Sequence, residues 1–282
     1  MEHRELELFL HLTRTLNFGR TSTDQHVSPA TLTRTVQRLE ARAGARLLDR
    51  GPRGVALTAE GRRFAHYAEQ ALGLWSEFRD GASPDAELAG DLRIFATVTA
   101  CQALLPALLA PLRTAHPQVR VDLRTGDAAA ALARLEEGEV DATVAGLPHR
   151  VPHEIVGRTL TTTDLVLVTA RGREDAAGGP FVVPRRGLVR EAAQRWFRSR
   201  GTTPVIAAEP DGHEGLLALV AAGYGTGIVP RLVLDASGVA GRLTVVGEGL
   251  APFPIGLCVR RADLRRPVVA ALWEITAGQP GA

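Results

Sequence analysis

Apolar positions recur at helical spacing over the first 80 residues, and beyond residue 91 they gather into short runs. Leu6, Phe9 and Leu12 mark one side of a first helix; Asn17-Phe18-Gly19 turns the chain into a second, short helix ending near Val27. Ser28-Pro29 starts a third, because a serine caps free N–H groups and a proline in the first helical position has no N–H to leave unpaired. In that helix Leu32, Val36 and Leu39 form one narrow apolar stripe. LLDRGPRGVAL then reads as two small strands around 51–54, and Thr58 can cap a long helix reaching about residue 80, with Glu60 favourably placed in its first turn. DGASPDAELAGD, 80–91, breaks that helix and reads as a hinge. From Leu92 onward LRIFATV, VRVDLRT, DATVAG, DLVLVTA, PFVVP, PVIAAE, TGIVP, RLTVVG and IGLCVR alternate with helical stretches, which predicts a mainly parallel sheet covered on both faces. The expectation is a multidomain α+β and α/β chain: a head over 1–58, a linker helix and hinge over 59–88, and an α/β region over 89–282.

The third helix has a second face. Thr31, Arg34, Thr35 and Arg38 lie opposite the apolar stripe and present hydroxyls, methyls and guanidinium forks, which suit base edges and phosphates in a major groove. Its first residues, Ser28, Pro29, Ala30, Thr31 and Thr33, would enter deepest. A helix whose arginines only face water is the plain alternative, and the context weighs against it. Helix, helix, helix, then a strand pair carrying Arg50 and Arg53 is the order of a winged helix-turn-helix, whose partner is double-stranded DNA. Charge agrees: residues 1–63 hold 11 Arg against 7 acids, whereas the remainder is slightly acidic. All 33 basic residues are arginine, which reflects genomic base composition.

On the long helix Phe64, Ala68, Ala71, Trp75 and Phe78 step by 4, 3, 4 and 3, a heptad seam that either packs on its own domain or pairs with a second copy; two aromatics so near a breaker favour the second copy. Other classes fall away. The charged start lacks the apolar core of an export signal, no apolar run approaches the roughly 20 residues of a membrane span, and Cys101 and Cys258 are too far apart to build a disulfide framework, so a cytoplasmic protein is expected. His and Cys lack metal-ligand spacing, no Ser-His-Asp set stands at the strand–helix turns, and Gly223-Tyr224-Gly225-Thr226-Gly227 follows a helix and enters a strand, the reverse of a dinucleotide loop. No catalytic residue, metal or cofactor is expected. What stands at the strand ends suits a small anion: Thr97 and Thr99 after the first strand, Gly126 and Asp127 after the second, and Gly146 after the third. Helix capping is the alternative at Thr97, Thr99 and Asp127.

FLHLTRTLNFGRTS, VSPATLTRTVQRLEARAGARLLDR and VALTAEG together resemble the amino-terminal signature of LysR-type transcriptional regulators. Thr21-Ser22 and Gln25 depart from the Ala-Ala and Leu usual in the family's second helix, and Leu47-Leu48 from its Leu-Phe. RIFATVTA, HPQVRVDLRTGDAAAALARLEEGEVDATVAG, GLVREAAQRWFR and GHEGLLALVAAGYGTGIVP extend the resemblance to the family's activators of branched-chain amino acid biosynthesis. The resemblance implies a sensor half of two lobes like periplasmic binding proteins, with crossing strands near Thr161–Asp164 and Val259–Asp263. It implies paired linker helices, dimers and tetramers, RNA polymerase as a partner, and acetolactate or acetohydroxybutyrate as effector. For such an acid, Arg190 would pair with the carboxylate, Thr97 and Thr99 would bind it or the hydroxyl, and His213 would read the ketone or hydroxyl. A surface role for Arg190 and a plain helix-start role for His213 are the alternatives. Two other functions stay open: a regulator of another small acid, and a small-molecule binding protein or enzyme with a vestigial head.

Overall fold

The computed structural model describes residues 2–51, 54–80, 88–173, 178–247 and 249–278, with side chains throughout except at 76–80. The chain divides near residue 88 into two compact units. The first holds α1 (His3–Thr15), α2 (Phe18–Asp24), α3 (Pro29–Ala43), the hairpin β1 (Leu48–Gly51) and β2 (Gly54–Leu57), and α4 (Ala59–Asp80). Three of these helices begin where a side-chain cap stands: Asn17 accepts from the Arg20 amide at 2.9 Å, Ser28 from Thr31 at 3.1 Å, and Thr58 from Gly61 at 2.8 Å. Gly44, at φ 67°, closes α3 in the left-handed region that favours glycine. Ser28→Ala should therefore cost the head about 0.5–2 kcal/mol, read by chemical denaturation.

Phe9, Leu12, Val36, Leu39 and Leu47 form the core of this unit with Ala68 of α4, and the Phe64 ring meets Phe9 edge-on at 5.1 Å. Glu5, only 3% exposed on α1, ties α3 down through ion pairs to Arg38 at 3.3 Å and Arg42 at 3.0 Å. A buried carboxylate is stable only when paired in this way. The wing is held by side chains too, with the Arg50 guanidinium 4.3 Å above the Phe18 ring.

The second unit contains β3 (Ala89–Ala96), α5 (Val98–Ala103), α6 (Leu105–Ala115), β4 (Gln118–Thr125), α7 (Ala131–Glu136), β5 (Ala142–Gly146) and β6 (Ile155–Ala170). It continues with β7 (Phe181–Val182), α8 (Leu188–Ser199), β8 (Ile206–Ala208), α9 (His213–Ala221), β9 (Thr226–Pro230), α10 (Arg231–Asp235), β10 (Leu243–Gly247), β11 (Pro252–Arg260) and α11 (Pro267–Ile275). Strand order is β4-β3-β5-β11-β6-β9-β7-β8, with β10 added to β6. All nine expected strands are present, but the sheet is mixed rather than mainly parallel. β11 runs antiparallel to β5 and β6, and β9 and β10 run antiparallel to β6.

β6 is why. Its first ten residues pair with β11 and its last six with β9 and β10, so one strand passes between two lobes at Thr161–Asp164 as expected. The return crossing is not at Val259–Asp263. Leu250 and Ala251 already exchange backbone hydrogen bonds with Leu165, and Val259 lies at the far end of the ladder opposite Val156. One lobe packs around Leu92, Ile94, Leu108, Val144, Leu257 and Val269; the other packs around Val166, Val168, Leu216, Val220 and Val229.

At the start of β5 the fully buried Asp141 accepts from the Arg93 amide at 2.8 Å, from the Arg93 guanidinium at 2.9 and 3.2 Å, and from Arg266. Burial alone would raise its carboxyl. The hydrogen bonds and positive charges of Arg93 and Arg266 overcome that and hold it well below the usual carboxylate range.

Candidate functional site

Two surfaces can act on other molecules, one in each unit. On the first, Ser28, Pro29, Ala30, Thr31, Arg34 and Arg38 are exposed along α3 and Thr33 is half-buried. Arg50 is exposed on the wing, and Arg53 lies outside the described residues. Thr35 is a correction. It is buried at 2% exposure, because positions 32, 35, 36 and 39 together form the packed side of the helix; it cannot reach a base. Arg38 reaches outward from a fixed root, with Glu5 and the Thr35 hydroxyl beside it. The exposed face is therefore a row of hydroxyls and guanidinium groups on a rigid, capped helix.

On α4 the expected heptad seam is corrected in the same way. Ala68 is fully buried in its own unit, and Phe64 and Ala71 pack against the same core. Only Trp75 of that set is half-exposed, and the Phe78 side chain lies outside the described residues. The apolar surface α4 does show comprises Tyr67, Leu74 and Trp75.

In the second unit a cavity of about 350 Å³ opens between the lobes. Thr97, Thr99, Gly126, Asp127, Gly146 and His213 all line it. Strand ends and helix starts bring them together. Thr97 caps α5 at 3.3 Å, Asp127 caps the turn at 128–130 at 3.1 Å, and Gly187 and Gly212, both in the left-handed region, open α8 and α9 toward the space. Amide groups at helix starts carry no intrahelical partner and favour negative charge.

Arg190 does not line the cavity. It stands in the first turn of α8 and is committed elsewhere, to the Pro184 carbonyl and the Glu209 carboxylate. The guanidinium at the cavity is Arg186, just ahead of the helix, which pairs with Asp127 at 2.9 Å. Gly187 ahead of the apolar-periodic LVREAAQRWF marked that helix start, and an arginine before it is the one that faces the mouth. Glu191 and Glu214 complete the polar rim, while Leu188, Val189, Val233, Phe253 and Ile255 supply an apolar wall. Burial pushes the His213 imidazole below its ordinary range, against the pull of Glu214 and Asp127, so a neutral ring faces the cavity at neutral pH.

The wall also contains Cys258, which no sequence signal had marked. Burial drives its thiol up to about 11, against the effect of a hydrogen bond with Thr143, so it is a protonated wall residue and not a nucleophile. The Gly223–Gly227 stretch joins α9 to β9; a side chain on Gly225 would strike the Pro180 carbonyl, which accounts for that glycine by packing alone.

A winged helix-turn-helix head followed by a two-lobed α/β unit with an interlobe cavity is the architecture of a DNA-binding transcription regulator. Residues 3–62 match the bacterial regulatory helix-turn-helix proteins of the lysR family, and residues 85–279 match the LysR substrate binding domain; the chain belongs to the LysR family. It is 33% identical to the HTH-type transcriptional activator IlvY of Haemophilus influenzae, over 98% of this chain and 99% of that one. It is 34% identical to the transcriptional regulator IlvY of Escherichia coli, over 98% of both chains. Among solved structures, the LysR family regulator CbnR matches 98% of this chain and 100% of its own, with 26% identity and a TM-score of 0.55.

Proposed function

We propose that this chain activates transcription of branched-chain amino acid biosynthesis when an acetohydroxy acid, acetolactate or acetohydroxybutyrate, fills the interlobe cavity. Support comes from the similarity to IlvY proteins over nearly the whole chain and, above all, from the composition of that cavity. Such an acid carries a carboxylate, a tertiary hydroxyl, a ketone and one or two short alkyl arms. The cavity offers a partner for each: Arg186 and the helix starts for the carboxylate, the Thr97 and Thr99 hydroxyls for the tertiary hydroxyl, neutral His213 for the ketone, and the apolar wall for the arms. Asp127 both caps its turn and keeps Arg186 in position.

In the head, Ser28 to Thr31, Thr33, Arg34, Arg38 and Arg50 contact a promoter duplex. A second copy joins through Tyr67, Leu74 and Trp75 of α4, presenting two reading helices to a two-fold site. Effector binding acts through a difference in affinity between two arrangements of the lobes, which changes how the paired heads hold DNA near RNA polymerase.

Thermal unfolding in the presence of 2-acetolactate tests the effector assignment. The acid should raise the melting temperature of the wild type and of Arg190→Ala, and should lose most of that effect on Arg186→Ala. Benzoate, citrate and free amino acids should leave all three proteins unmoved. A rise with one of those acids and none with acetolactate would overturn the pathway assignment while leaving the family intact.

A further inference from the structure

We propose that Phe253 sets the size of acid the cavity admits, an inference that rests on the cavity being the effector site. Phe253 supplies the only phenyl ring among the described lining residues, whose apolar members are otherwise alanines, prolines, a cysteine and aliphatic side chains. It stands on β11 at the return crossing, opposite Thr163 of β6, and is buried to 8% exposure. Its ring lies flush on the end of β5: a Cβ added at Gly146 would sit 2.6 Å from Phe253 Cζ and 2.9 Å from Cε1, with Leu188 Cδ1 at 3.4 Å. Only a glycine fits at 146 with the ring in that place.

Gly146 belongs to one lobe, Leu188 to the other, and Phe253 to the strand between them. The ring thus sits against Gly146 where the two lobes approach each other, with Leu188 beside it. A second close approach, Gly187 against Ala129, limits how far the lobes can close from another side: a Cβ on Gly187 would lie 3.3 Å from that of Ala129. The space for an alkyl arm is therefore fixed by a rigid aromatic edge. A methyl or ethyl arm fits beside it, and an aryl arm is refused. A single methylene in such an apolar pocket is worth about 10–200-fold in affinity, enough to turn a wall position into a selectivity filter.

The test compares purified full-length wild type with Phe253→Ala and Phe253→Leu, by calorimetry with 2-acetolactate, 2-aceto-2-hydroxybutyrate, benzoate and phenylpyruvate. Wild type should bind the two acetohydroxy acids and neither aryl acid. Phe253→Ala should gain phenylpyruvate affinity by at least about ten-fold and lose affinity for both acetohydroxy acids by a similar factor. Phe253→Leu, which keeps most of the volume, should fall between. Gly146→Ala should push the ring into the cavity and weaken the ethyl-bearing acid more than the methyl-bearing one; if it does not fold, the Phe253 pair still decides. Wild type that binds benzoate but neither acetohydroxy acid would end the pathway assignment and the size rule together. Wild type that ignores all four acids while Phe253→Ala binds phenylpyruvate would end the pathway assignment alone. Folded Phe253→Ala with wild-type selectivity, or no response from any of the proteins, would overturn the proposal.

Discussion

Asp141→Ala is expected to lower the stability of the second unit by about 3–5 kcal/mol, the cost of breaking a buried ion pair from one side. The carboxylate is fully buried, and Arg93 and Arg266 both donate to it. Removing it leaves two guanidinium groups crowded around an empty site at the start of β5. Urea denaturation followed by near-ultraviolet circular dichroism, which reads tertiary packing, should show the midpoint falling. The same contact has a pH signature. A carboxyl whose folded pKa is depressed contributes stability above its unfolded value, about 3.9, and loses that contribution as pH falls through the unfolded and then the folded value. Wild type should therefore weaken steeply below about pH 4, and Asp141→Ala should show a flatter profile there. Equal acid sensitivity in the two proteins would show that Asp141 is not the group responsible.

Arg34→Ala is expected to cost about 1–3 kcal/mol of binding at the cognate site, with little change in melting temperature. Arg34 is exposed on α3 and, among the described residues, its side chain makes one long hydrogen bond, to the Ala30 carbonyl, so its removal takes nothing from the core. Thr35→Ala provides the contrast: that side chain is buried, and its loss should appear as lowered stability of the head. Wild-type affinity should also fall steeply with salt, since phosphate contacts release counterions. Fluorescence anisotropy on the duplex upstream of the regulated gene reads both. Unchanged affinity in Arg34→Ala would remove α3 from the interface.

Much of this architecture was legible in the residues. Caps at Ser28 and Thr58 announced two helices, because each supplies the acceptor that a helix start needs, and Asn17, read as a turn, caps a third. Apolar runs located nine strands of the second unit. The first half of β6 escaped the apolar-run pattern because Gly157, Arg158, Thr159 and Thr161 to Thr163 interrupt it, although that half pairs along β11. The start of β11 was hidden by Pro252 and Pro254, which took Phe253 out of view and moved the return crossing to the wrong end of the strand.

Three site assignments were corrected, because a helical pattern has sides whose partners spacing alone leaves ambiguous. Thr35 is four residues from Thr31 but also three from Leu32 and four from Leu39, and the core claims it. Arg190 stands in the right segment but in the first turn of the helix, where Glu209 holds it, while Arg186 at the cavity, just ahead of the helix, went unmarked. Phe64, Ala68 and Ala71 were a sound stripe with the wrong partner, since α1 of the same chain covers them. Contacts between elements distant in sequence decided each of these, and no local pattern records them.

The proposed coupling runs from a small acid held in the interlobe cavity to the way the helix-turn-helix head holds DNA. Nuclease footprinting of the full-length protein on its upstream duplex, with and without 2-acetolactate, tests this directly. The account predicts protection of a two-fold related site in both conditions, a shift in the protected or hypersensitive positions on adding the acid, and loss of that shift in Arg186→Ala. A wild-type footprint identical with and without the acid, or no protection at all, would contradict it.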